Sequence, residues 1–153
     1  RRFDVLDKIG EGSFGTVWTA RDRRCKDATE SLVALKRINP TCSPSRILNE
    51  FEHMRTLGGK DFTCWAGREN VIEVRGVLRT PGGSFALIMP YFPHDDFKDY
   101  IKTLTLSGIA AYMRSLLTAL AHVHSRRVIH RDIKPKNFMY HVQSGKGVTY
   151  RVL

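Results

Sequence analysis

The chain has 153 residues, 42% hydrophobic and 26% charged, with 25 lysines and arginines against 15 aspartates and glutamates. That is enough length and apolar content for an ordinary domain with a buried core, and it excludes a disordered tail. No apolar run approaches the ~20 residues that cross a bilayer, and none has the form of a secretion signal.

The formal net charge of +10 invites a nucleic-acid reading. The basic residues, however, are spread along the chain, and the dense run Arg21 to Lys26 contains Asp22, is followed by Asp27 and lacks interleaved aromatics. The charge therefore points to a phosphate-handling site and acidic partners, with no direct nucleic-acid contact and no membrane. Cys25, Cys42 and Cys64 form no Cys-x-x-Cys pair and no zinc pattern with the six histidines, which predicts free thiols in a reducing compartment. His122 and His124 stand two apart on a predicted helix, so they face different sides and are no metal pair. The chain opens on Arg1, not Met, which leads us to expect residues ahead of it.

In chain order, Phe3 to Ile9 alternates as a strand, Gly10 to Gly15 follows as a turn, and Thr16 to Ala20 reads as a second strand. A polar connection leads to the apolar strand Leu32-Val33-Ala34-Leu35. Pro40 and Pro44 mark a loop. From Ser45, read as an N-cap, Ile47, Leu48, Phe51, Met54 and Leu57 recur at helical spacing until Gly58-Gly59. Val71 to Leu78 and Phe85 to Met89 predict a hairpin around Pro81-Gly82-Gly83. After Pro90 the pattern turns helical. Asp95 or Asp96 caps a short helix through Leu104, and Ser107 opens a longer one with the stripe Ile109, Tyr112, Met113, Leu116, Leu117, Leu120 and Val123. Val148 to Leu153 reads as a final strand.

Gly10-x-Gly12-x-x-Gly15 is a weak signal alone. In a dinucleotide fold its third glycine would open a helix; here it runs into the strand Thr16-Val17-Trp18. That context suits a hairpin folded over nucleotide phosphates, where missing Cβ atoms let backbone N–H groups approach. A Walker loop is excluded, because no Gly-Lys-Ser/Thr occurs there. Lys36 ends an apolar strand. By itself it reads as a solvated strand end, but with the glycine hairpin upstream it becomes a candidate partner for α- and β-phosphates. Such a lysine needs a carboxylate. Glu50 lies three after Ile47 and four before Met54 on the apolar helix face, whereas Glu52 lies about 200° round the helix, toward solvent. Glu50 is the stronger candidate.

The strongest signal is His130-Arg131-Asp132-Ile133-Lys134-Pro135-Lys136-Asn137. It supplies a carboxylate, an ammonium and a carboxamide in one short polar stretch. A base for a hydroxyl proton, a cation for phosphate charge and an oxygen ligand for Mg²⁺ are what phosphoryl transfer needs.

Glycine hairpin, Val33-Ala34-Leu35-Lys36, helix glutamate and His-Arg-Asp-x-Lys-x-x-Asn, in this order and across the whole chain, resemble a eukaryotic protein kinase. Lys134, two after the aspartate, resembles the serine/threonine class. Pro90-Tyr91 after Met89, then Asp96-Phe97, and the run from His130 to Tyr140 resemble the cell division cycle 7-related kinases, which trigger DNA replication.

The resemblance implies an α+β, bilobal, protein-kinase-like fold: an N-lobe over 1–89 (antiparallel sheet plus one helix), a hinge over 90–93, and a partial helical C-lobe over 94–153. It implies ATP and Mg²⁺ as cofactors. Asp132 would accept or orient the substrate hydroxyl proton, Lys134 would face the transferring phosphate, and Asn137 would bind Mg²⁺. Lys36 would hold the α- and β-phosphates and pair with Glu50. Gly10, Glu11, Gly12, Ser13, Phe14 and Gly15 would cover the phosphates, while Ile9, Val17 and Ala34 would cover the adenine. Met89 would gate the back of that pocket, with Pro90, Tyr91 and Phe92 as the hinge. His130 and Arg131 would shape the loop. The resemblance further implies a protein substrate, possibly replicative helicase subunits, an activating regulatory subunit and a nuclear location.

Two departures stand out. Lys60 to Glu69 adds about eight residues to a normally short connection, which leads us to expect an exposed loop or an in-frame intron. The family also places Asp-Phe-Gly roughly a dozen or more residues after the loop asparagine, and that tripeptide does not occur in this sequence. The expectation is a truncated kinase domain, inactive alone. Two alternatives are a non-catalytic binding product that sequesters a kinase partner and a small-molecule phosphotransferase of similar fold.

Overall fold

The computed structural model describes residues 2–12, 15–28, 31–39, 43–58, 67–143 and 147–152; of Arg46, Glu50, Gly58, Gln143 and Gly147 only the backbone is described. Its contacts divide it into two compact units, residues 1–55 with 73–91, and residues 56–72 with 92–153.

The first unit is a five-stranded antiparallel sheet in the order β1-β2-β3-β5-β4, formed by β1 (Phe3–Gly12), β2 (Gly15–Asp22), β3 (Leu32–Ile38), β4 (Gly76–Arg79) and β5 (Phe85–Pro90). Ala20, Val33, Leu35 and Ile88 are buried together on one face, with Phe3 and Leu78 packed against them. The β-branched and aliphatic residues predicted as strands are the ones that fill this core. The acid inside the basic run has a partner. Asp22 is buried and accepts two bonds from Arg2 Nε and one from Nη2 at 2.6 Å, and the Arg2 guanidinium holds its carboxyl below the usual carboxylate range.

Helix α1 (Pro44–Gly58) starts one residue earlier than the sequence pattern suggests. The Ile47 N–H donates to the Ser43 carbonyl, so the ladder begins at Ser43. Pro44 then occupies the first helical turn, where a missing N–H costs nothing. The predicted strand from Val71 shrinks to β4, Gly76–Arg79. Val71 bridges in parallel to Val152 instead, and the Ile72 N–H donates to the Val152 carbonyl at 2.9 Å.

The second unit holds α2 (Phe97–Thr103), α3 (Leu106–Ser125) and the hairpin of β6 (Phe138–Gln143) and β7 (Gly147–Val152). Between the two candidate caps of α2 the structure chooses Asp96, whose Oδ1 accepts from the Lys98 N–H at 2.9 Å, while Asp95 accepts from the Val142 N–H. Helix α3 is capped by Thr105, not Ser107; the Thr105 hydroxyl accepts from the Gly108 N–H. The apolar stripe of α3 splits. Tyr112, Leu116 and Val123 belong to the core, while Ile109, Met113 and Leu117 are exposed. Strand β6 has no counterpart among the elements predicted above, although Phe138, Tyr140 and Val142 alternate as strand residues do.

This unit's core is aromatic. Tyr100 stacks on Tyr140 at 3.8 Å, Tyr112 meets Phe138 edge-on at 4.9 Å, and Phe138 stacks on Tyr150 at 5.8 Å. The Tyr100 and Tyr150 hydroxyls bond to each other, and burial pushes the Tyr150 phenol far above its ordinary range. Among the described residues no helix is long and apolar enough to cross a membrane.

Candidate active site

In the first unit the register decides which residues share a face. Val17 pairs with Lys36, and Ala34 pairs with both Thr19 and Met89. Residues directly opposite in a ladder point the same way. Val17, Ala34, Lys36 and Met89 therefore stand on one face, opposite the cluster of Ala20, Val33, Leu35 and Ile88. Lys36 and Val17 are half-buried there, Ala34 and Met89 buried, and Ile9 is exposed at an irregularity of the β1–β2 ladder. Pro90 ends β5 opposite Val33, and the Tyr91 N–H extends that ladder by donating to the Leu32 carbonyl at 3.2 Å.

The glycine hairpin joins β1 to β2, with Glu11 opposite Thr16 and Gly12 opposite Gly15. Its three glycines are not equivalent. Gly15 has φ +147°, and a Cβ on it would stand 1.9 Å from the Arg37 carbonyl oxygen. Only glycine fits so close to β3. A Cβ on Gly10 would make ordinary contacts with Val17, and one on Gly12 would meet nothing within 4 Å. Ser13 and Phe14 lie outside the described residues, as does the Glu50 side chain. Glu52, the competing carboxylate, is exposed and accepts from Arg55 Nε and Nη2 on its own helix.

In the second unit, residues 130–137 form a compact loop. Arg131 turns the chain with a left-handed φ of 65°. Such a backbone costs a residue with a Cβ about 1 kcal/mol or more, so the surrounding bonds must hold it. The Asp132 N–H donates to His130 Nδ1 at 3.3 Å, which puts the imidazole proton on Nε2. A 3-10 turn over Pro135–Asn137 then brings Asn137 back to Asp132. Asn137 Nδ2 donates to Asp132 Oδ2 at 2.7 Å and to its backbone carbonyl at 2.8 Å. The Lys134 ammonium reaches the same Oδ2 at 2.9 Å. The Lys134 bond first, and the Asn137 amide second, hold the Asp132 carboxyl below the usual carboxylate range. Asp132 is thus an ionised carboxylate with one oxygen doubly engaged.

The next strand holds this loop in place. Phe138 and Tyr140 of β6 point into the aromatic core, so Met139 faces the other way, half-buried. Phe92 sits in this unit, edge-on to His141 at 6.2 Å and under the Arg151 guanidinium at 5.3 Å.

The family profile described as "Protein kinase domain" matches residues 3–150. The chain belongs to the protein kinase family. Within that family it resembles the cell division cycle 7-related kinases. It is 39% identical over 147 residues to "Probable cell division control protein 7 homolog 2" of Encephalitozoon cuniculi, covering 96% of this chain and 38% of that protein. It is 42% identical to a "non-specific serine/threonine protein kinase" of Drosophila melanogaster, covering 94% of this chain and 21% of that one. It is 35% identical to "Cell division cycle 7-related protein kinase" of Homo sapiens, covering 90% and 22%. The kinase chain therefore spans about two fifths or less of the length of these relatives. Its fold agrees with the family: an N-lobe sheet of five antiparallel strands, and part of a C-lobe.

Proposed function

We propose that this chain carries the nucleotide-binding and phosphoryl-transfer residues of an ATP-dependent serine/threonine protein kinase acting in replication initiation and cell-cycle control. One observation carries the reading: an ammonium and a carboxamide meet on one oxygen of Asp132, at 2.9 and 2.7 Å. Asp132 orients the hydroxyl of a protein serine or threonine and takes its proton, with Oδ1 left for that bond. Lys134 opposes the negative charge on the transferred group.

Both amide hydrogens of Asn137 go to Asp132, which leaves its Oδ1 as a hard oxygen ligand of the kind Mg²⁺ takes. An ion held there would supply positive charge against the phosphates of ATP. Asn137 would supply one oxygen ligand to such an ion, with the phosphates of the nucleotide supplying others.

In the first unit, Lys36 holds the α- and β-phosphates and pairs with Glu50. The backbone from Gly10 to Gly15 covers the phosphates. Ile9, Val17 and Ala34 cover the base, Met89 gates the pocket, and Pro90, Tyr91 and Phe92 form the hinge within a 1–89, 90–93 and 94–153 division. The protein substrate, an activating subunit and a nuclear location follow from the likeness to the cell division cycle 7-related kinases. The 153-residue polypeptide alone, without Asp-Phe-Gly, transfers no phosphate.

The test is phosphoryl transfer from labelled ATP by the full-length protein with its activating subunit. Label is expected in phosphoserine or phosphothreonine of a protein, and it is expected to vanish in Asp132→Asn. Undiminished transfer by that variant, or label in a small metabolite, overturns the reading.

A further inference from the structure

Within the second unit, the segment that leads into α2 is tied to β6. The Asp95 N–H donates to the Tyr140 carbonyl at 3.2 Å, the Asp95 carboxylate accepts from the Val142 N–H, and the Tyr140 hydroxyl donates to the Asp96 carbonyl at 3.0 Å. None of these bonds touches Phe92, which is held in another way. Met139 pairs with Arg151 and His141 with Thr149, and residues directly opposite in a ladder point the same way. Phe138, Tyr140, Tyr150 and Val152 belong to the core, so those four take the other face of the hairpin. There the Arg151 guanidinium lies over the Phe92 ring, 5.3 Å from its centroid, and His141 meets the ring edge-on at 6.2 Å. His94 Nδ1 bonds to the Phe92 carbonyl at 3.2 Å, and since a carbonyl only accepts, Nδ1 carries the proton. Ring and backbone of Phe92 are both engaged.

Arg151 is an unfavourable choice for packing alone. Its Nε is buried with no hydrogen-bond partner among the described residues, and an unpaired buried N–H is costly. Methionine would fill a similar space without that group. What arginine adds is a flat, delocalised cation, and the negative face of an aromatic ring attracts it, most strongly where water is kept away.

We infer that Arg151 is a positioning residue for Phe92. The cation on the ring face keeps Phe92 in one orientation before any nucleotide arrives, and that mounting involves the second unit alone. Its consequence rests on the kinase reading above, in which Phe92 belongs to the hinge. Ordering the hinge in advance removes part of the cost of binding, so Arg151 raises the affinity for ATP and leaves the phosphoryl-transfer step untouched.

Variants of the full-length protein test it. Arg151→Met keeps the stem and removes the cation, Arg151→Lys keeps a cation, and Phe92→Leu removes the ring. Hydrogen exchange at the Phe92, His94 and Asp95 amides reads the mounting, and kcat with the KM for ATP reads its consequence. The methionine variant is expected to exchange there about fivefold faster and to raise the ATP KM to a similar degree. Its kcat and its KM for protein substrate are expected to stay within about twofold, and lysine restores exchange and ATP KM to within about twofold. Added to Phe92→Leu, Arg151→Met is expected to change nothing further. Equal exchange in the methionine variant and the wild type overturns the mounting. Additive effects in the double variant overturn the route through Phe92, and lysine no better than methionine overturns the role of the charge. Faster exchange with an unchanged ATP KM, or a loss confined to kcat, overturns the consequence. If the methionine variant does not fold, Arg151→Gln replaces it; failure of both makes the residue merely structural and overturns the proposal. A wild-type protein that transfers no phosphate removes the kinase reading, and the exchange data still decide the mounting.

Discussion

Asn137 gives both hydrogens of its carboxamide to Asp132, one to the carboxylate at 2.7 Å and one to the backbone carbonyl at 2.8 Å. A single side chain thus sets both the rotamer of the carboxylate and the turn that presents it. Asn137→Ala removes both bonds and the proposed metal ligand together. The expected loss in kcat for the full-length protein is on the order of 10²–10³-fold, with little change in melting temperature because the site is solvent-accessible. Steady-state phosphoryl transfer checks it, and a loss below about tenfold would exclude the assigned role.

The pH behaviour of Asp132 follows from its neighbours. Lys134 and then Asn137 lower its carboxyl, so its folded value lies below its unfolded one. A depressed group stabilises the fold above its unfolded pKa, and that contribution is lost as pH falls through the folded value. Asp132 therefore stays ionised through neutral and mildly acid pH and contributes no acid limb to the rate there. Carbon NMR of the carboxyl is expected to show a midpoint below the ordinary ~3.9, moving up in Lys134→Met. No movement would mean that the ammonium at 2.9 Å does not set the charge of the site.

Gly15→Ala and Gly12→Ala make a contrast that needs no activity assay. At Gly15 the new Cβ meets the Arg37 carbonyl and φ is +147°; at Gly12 it meets nothing within 4 Å. The first is expected to destabilise by about 2 kcal/mol or more, and the second by well under ~1 kcal/mol. Urea midpoints of the two variants decide it. Equal midpoints would show that β2 does not approach β3 as closely as described.

Phe138 is 1% exposed, stacked on Tyr150 and edge-on to Tyr112, one residue after Asn137. Phe138→Ala is expected to cost about 3–5 kcal/mol, the range for a large aromatic lost from a core that cannot collapse. Near-ultraviolet circular dichroism during denaturation reports the aromatic cluster directly. A cost below ~1 kcal/mol would mean that the core beneath the loop is not closely packed.

Much of the site was legible because its chemistry is local. Asp132, Lys134 and Asn137 lie within six residues, so one turn suffices to bring them together, and their spacing predicts that they meet. The face shared by Val17, Ala34, Lys36 and Met89 was legible only in part. Alternation fixes which residues of one strand go together, but the register between strands belongs to the pairing. The caps were legible only in part for a similar reason: Asp96 is one of the two acids expected at α2, whereas α3 is capped by Thr105 and not Ser107. Asp95 and Asp96, or Thr105 and Ser107, offer equivalent oxygens, and only the path of the preceding chain selects which one reaches an N–H.

The sequence by itself determined the inventory: a glycine hairpin running into a strand, a strand-end lysine, a helix with a carboxylate on its apolar face, and the loop from His130 to Asn137. These are matters of residue type and short spacing, which chain stiffness and side-chain chemistry control. Tertiary structure alone decided that residues 56–72 side with the second unit, that Gly15 is the glycine with no room for a Cβ, and that His122 meets Leu57. Each of these depends on two segments distant in sequence coming within a few ångströms. Such approaches are set by how whole faces pack, and no local pattern records them.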